Sequence, residues 1–168
     1  MALAPLVKGG SGRRPVLNPR PEFVLLCSMV RFALAPFDLY ATIAAASFRR
    51  PACEQAIRKA AFRRAPAYAY IYAWRTPVLD GRPGPFHAAE LAFTFDNAEL
   101  CDHYSGGSIG AIVLSKQIST AWVSFARTGN SNHNDLPYWP KYTLERRATM
   151  QFDSTCAVSN DPEGQGLS

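Results

Sequence analysis

Three stretches of this chain carry side chains able to do chemistry. His87 stands at the end of a turn-rich loop, in Gly84-Pro85-Phe86-His87-Ala88-Ala89-Glu90. An imidazole titrating near neutrality can take a proton and give it back, which is the work of a general base that later serves as general acid. Ser108 lies in Gly106-Gly107-Ser108-Ile109-Gly110, a literal match to the G-x-S-x-G spacing that presents a nucleophilic hydroxyl on a tight strand-to-helix turn. Cys101-Asp102-His103 sets three metal-capable side chains in a row. No second ligand pair stands at a structural-zinc spacing, so no metal site is expected there. His87 taken alone reads as an ordinary loop histidine, and its significance depends on what surrounds it.

The elements that would position these groups follow from pattern. Residues 1–21 are rich in Pro, Gly and Arg and read as a tail. Residues 23–47 are apolar and read as partly helical, broken near Pro36. A helix is expected over residues 51–64, with Pro51 in its first turn, Cys53, Ala56, Ile57 and Ala60 at helical spacing, Glu54 and Arg58 as an i,i+4 pair, and Pro66 as its stop. Residues 67–74 alternate: Tyr68, Tyr70, Tyr72 and Trp74 face one side, while Ala67, Ala69, Ile71 and Ala73 face the other. Neither face is charged, as for a strand covered on both sides inside an α/β sheet. A loop over 75–86 leads to His87 and a short helix around 88–95. The longest helix is expected from Ser108 to Thr128, with a stripe of Leu114, Ile118, Ala121, Trp122 and Phe125 and Gly129 as its cap. Residues 148–153 form a last strand, and 160–168 a frayed tail.

Composition narrows the classes. The 168 residues are 48% apolar and 18% charged, as in a globular domain with a real core. The net charge of +5 comes partly from scattered Arg pairs with no nucleic-acid-binding motif around them, so no nucleic-acid partner is expected. The apolar run after Phe23 is interrupted by Arg31, Pro36 and Asp38, so neither a membrane span nor a cleaved leader is expected. Cys27, Cys53, Cys101 and Cys156 are widely spaced and read as reduced thiols, which favours a cytoplasmic setting over a secreted one.

The segment from Gly84 through His87, Glu90 and Leu91 to Phe93 and Phe95 resembles the stretch holding the catalytic histidine of type-B carboxylesterases, which are α/β-hydrolases. Other stretches agree in order. Asp38-Leu39-Tyr40-Ala41 and Phe48-Arg49-Arg50-Pro51-Ala52 resemble the family's helix before the strand that leads to the histidine. Tyr70-Ile71-Tyr72-Ala73-Trp74 resembles that strand, and the run from Ala121 to Asn130 the late helix and its exit. Trp139-Pro140-Lys141-Tyr142 and the run from Arg146 to Asp153 resemble the closing strand. The resemblance covers residues 38–163, leaving 1–37 unmatched and 164–168 as a disordered tail.

That resemblance implies the C-terminal portion of an α/β-hydrolase fold, an incomplete sheet flanked by helices. It makes His87 the last member of a triad whose order along the chain is serine, acid, histidine. It needs no cofactor and implies carboxylic esters as substrates. The family's serine elbow should precede the histidine, yet Ser108 follows it, with Asp102, His103, Tyr104 and Ser105 in place of an incoming strand. Ser108 therefore reads as the N-cap of the long helix. Four acids precede His87, Glu22, Asp38, Glu54 and Asp80, of which Glu54 belongs to a helix and Asp80 to the adjoining loop. Glu90 follows the histidine, and no Gly-rich oxyanion segment is present. The expectation is an esterase-family chain that is inactive alone: a gene fragment, a truncated isoform or half of a split enzyme, completed by a complementary N-terminal chain or associating with itself. The alternative is a non-catalytic binding protein derived from the same fold.

Overall fold

The computed structural model describes Leu39, Ile43 and residues 45–162, so the unmatched segment 1–37, with its tail and the start of its apolar run, and the tail 164–168 fall outside the described residues. A π-helical turn, Ala45–Arg49, runs directly into α1, Arg50–Phe62. Pro51 stands in the first turn of α1, where no intrahelical N–H is needed. Glu54 takes Arg50 at 3.7 Å and Arg58 at 3.8 Å, so the i,i+4 pair is shared between two arginines. The helix ends earlier than Pro66 requires. Arg63 adopts a left-handed conformation, φ 52°, and its N–H donates to the Ala60 carbonyl.

Strand β1, Ala69–Tyr72, is shorter than the alternating run that announced it. It pairs in parallel with β2, Ala148–Phe152, from Ala69 opposite Thr149 to Tyr72 opposite Phe152. Beyond the strand, the N–H groups of Ala73 and Trp74 both donate to the Phe152 carbonyl. An antiparallel strand that periodicity did not reveal, β3, Ala157–Asn160, completes a sheet of order β1-β2-β3. Only β2 is central. Its Ala148, Thr149, Met150 and Phe152 are buried, whereas every residue of β1 is half-buried and its outer edge is unpaired among the described residues. Complete cover on both faces of β1 is therefore not what the fold provides.

The core lies on the tyrosine side of the sheet. Helix α4, Ile109–Thr128, buries Ala111, Leu114, Ser115, Ile118 and Ala121 against it. Phe93, fully buried on the short helix α2, Glu90–Thr94, contacts Tyr72 and Trp74 at ring separations of 5.2 and 6.4 Å. Ser115 donates from its buried hydroxyl to the carbonyls of Ala92 and Phe93, which fixes α4 to the last turn of α2. Helix α1 does not close down on the sheet. None of its residues is buried, and an open cavity of about 510 Å³ lies among Ala52, Cys53 and Ala56 of α1 and Ala69, Ile71 and Thr149 of the sheet.

Candidate active site

The chain leaves β1 through Thr76, whose buried hydroxyl donates to the Tyr104 carbonyl and accepts from the Val78 N–H. A 3-10 turn follows at Val78–Gly81, with Leu79 and Asp80 left-handed. Ala88, next to His87, is left-handed as well, φ 67°. An L-residue in this region carries a steric cost of roughly 1–2 kcal/mol. The tight path turns the chain out of the loop and into α2, and leaves His87 exposed at the junction. Its ring stacks on Phe48, with centroids 4.5 Å apart and planes 9° from parallel.

His87 borders the same 510 Å³ cavity as Phe48, Tyr70, Tyr72 and Glu90. Burial raises the pKa of the Tyr70 and Tyr72 phenols, with the Glu90 charge adding to the effect. Tyr104 is pushed up to about 12 by burial and by its hydrogen bond with Cys101. These phenols stay protonated at neutral pH, so they can donate hydrogen bonds but are not nucleophiles.

The remaining candidates do not converge on His87. Asp80 extends into solvent, with 91% of its side chain exposed, and pairs with Arg82 at 3.4 Å. Glu54 is taken by its two arginines. Glu22 and Asp38 lie outside the described residues. Among the described residues no carboxylate or serine hydroxyl is hydrogen-bonded to His87.

Ser108 is the N-cap of α4. Its backbone is extended, and its Oγ accepts the Ala111 N–H at 3.1 Å. What enters the glycine pair is not a strand but a short helix, α3, Asp102–Ser105. Gly106 closes that helix with φ 77°, and a Cβ there would sit inside the Pro77 ring. The glycines thus serve a helix-to-helix turn. His103 packs edge-to-face against Tyr104, and among the described residues no three His, Cys, Asp or Glu side chains form a group able to hold a metal. Cys101 and Cys156 are free thiols, and Cys27 is outside the described residues.

The sequence profile of the carboxylesterase family matches residues 39–167. The chain belongs to the carboxylesterase family. Among its relatives, this carboxylesterase chain is 35% identical over 120 residues to the para-nitrobenzyl esterase of Bacillus subtilis, covering 70% of its own length and 24% of that protein. It is 36% identical over 96 residues to human carboxylesterase 5A, covering 16% of that protein. In three dimensions it is similar to a carboxylesterase of Geobacillus stearothermophilus, with a TM-score of 0.65 at 30% identity, covering 89% of this chain and 32% of that one. An esterase of Clostridium hathewayi described as hydrolysing aliphatic aromatic polyesters gives 0.63 at 32% identity, covering 68% and 22%. The chain thus spans about a quarter or less of the curated relatives it matches. Its three-stranded mixed sheet with flanking helices is a partial α/β-hydrolase fold.

The Phe48 stack had no signal in the sequence. Phe48 and His87 lie on opposite sides of α1 and β1 along the chain, and no periodicity links them.

Proposed function

We propose that His87 is the proton-transfer residue of a carboxylic ester hydrolase, and that these 168 residues do not turn over esters by themselves. The observation that carries this reading is the state of His87: exposed at the mouth of a cavity, within the segment matched to the family, and bonded to no acid or serine among the described residues. In the reaction a serine oxygen attacks the ester carbonyl while the histidine takes its proton. The histidine then delivers that proton to the departing alcohol. Water, deprotonated by the same imidazole, splits the acyl-enzyme and releases the acid. A carboxylate holds the ring in the right tautomer, and backbone N–H groups stabilise the oxyanion.

In this reading the serine, the acid and the oxyanion donors come from polypeptide other than these residues. The edge of β1, unpaired among the described residues, would accept a strand of it. Ser108 of a second copy would again be a helix cap, so self-association does not supply the nucleophile from that position.

The test is hydrolysis of p-nitrophenyl acetate and butyrate by the purified chain beside His87→Ala and Ser108→Ala. All three should match the uncatalysed background. Turnover lost in both variants would show that the chain assembles a site of its own and overturn the reading. A stable, single-species chain that captures a specific protein through surfaces away from His87 would favour the non-catalytic alternative.

A further inference from the structure

We propose that Phe48 is the positioning residue of His87, holding the imidazole plane by a ring stack where no carboxylate among the described residues is bonded to it. The inference rests on the reading of His87 above. A triad histidine must present its two ring nitrogens in opposite directions within one plane, one to the acid and one to the serine. A side chain exposed on a loop turns freely about its outer bond and holds no such plane. Here the rings lie 4.5 Å apart and 9° from parallel. Rotation of the imidazole out of that plane destroys the overlap, so the stack biases the ring toward one orientation. A parallel stack also covers only a face, so Nδ1 and Nε2 at the ring edge stay open to partners arriving in the plane.

The placement of Phe48 supports a role beyond packing. The residue is 57% exposed, too wet to belong to the core, and the imidazole is its ring partner. It belongs to the π-helical turn Ala45–Arg49, continuous with α1, and it borders the His87 cavity together with Glu90. The stack therefore joins α1, which otherwise buries nothing, to the catalytic loop. Whatever polypeptide completes the site meets an imidazole whose plane is already set by this chain.

Proton–carbon NMR of the chain labelled in its three histidines reads this directly, with the His87 signal identified by its loss in His87→Gln. The His87 ring protons should be shifted upfield by the Phe48 ring, lose that shift in Phe48→Leu and regain it in Phe48→Tyr, while His103 and His133 stay in place. In the unsubstituted chain a nuclear Overhauser contact should link the two rings. Identical His87 shifts in the wild-type chain and Phe48→Leu, or no contact between the rings, would overturn the proposal. If Phe48→Leu disturbs all three histidines, the Overhauser contact decides alone. No turnover enters these readouts, so the hydrolysis test can fail without touching this one, and the reverse.

Discussion

Replacing Ser108 separates a helix cap from a nucleophile, because the two roles rank the substitutions differently. The cap rests on one hydrogen bond, from the Ala111 N–H to Ser108 Oγ at 3.1 Å, at the start of the helix that carries much of the core. Ser108→Ala deletes the acceptor and leaves a first-turn N–H unpaired, a loss of about 1 kcal/mol. In a chain of this size that lowers Tm by about 2–4 °C. Ser108→Gly should cost only a few tenths of a kcal/mol. Ser108→Asp should match or exceed serine, since the carboxylate accepts the same bond and also faces the positive end of the helix dipole. Urea denaturation followed by far-ultraviolet circular dichroism gives the order. Stability should run Asp at or above Ser, then Gly, then Ala, with ester hydrolysis the same in all four. If Asp destabilises as much as Ala, or Ala changes nothing, Ser108 is not holding the helix and the cap argument fails.

The fully buried Phe93 ring joins α2 to β1, so Phe93→Ala should cost about 3–5 kcal/mol in urea, against less than about 0.5 kcal/mol for Leu100→Ala at a position 80% exposed. Ala88→Gly should raise the urea midpoint, because glycine removes a left-handed penalty of roughly 1–2 kcal/mol and gives back only about 0.4–1 kcal/mol of chain entropy. Tyr104, raised from 10.0 to about 12, favours the neutral phenol in the fold. Its contribution is complete below pH 10 and is lost as pH climbs toward 12, so urea midpoints should fall across that window and fall less steeply in Tyr104→Phe.

Local chemistry was legible; partnership was not. Ser108 and Gly129 mark the ends of α4 because each cap is made by the residue itself with its near neighbours, and the structure places both where the sequence put them. The alternation of Tyr70, Ile71 and Tyr72 gave the strand, since period two needs no knowledge of the rest of the chain, but two uncharged faces did not tell which one meets the core. Strand β3 escaped because Ala157–Asn160 has little pattern of its own and exists by pairing with β2. The end of α1 at Phe62, two residues short of the expected 64, depends on a left-handed turn at Arg63 that arginine does not advertise. At the site, the segment around His87 was recognisable by type and order. The Phe48 stack arises where two distant segments meet, and no one-dimensional pattern encodes that meeting.

The gap between α1 and the sheet has a calorimetric consequence. The heat-capacity increment of unfolding comes mainly from apolar surface newly exposed to water, about 12–15 cal/mol/K per residue in a well-closed domain. Ala52 and Ala56 of α1 and Ile71 of β1 border an open 510 Å³ space, so much of their surface is wet before unfolding begins. Such surface adds little to the increment. The chain should therefore have a shallower stability curve than a well-closed domain of the same length, and a polypeptide that seats α1 onto the sheet would steepen it.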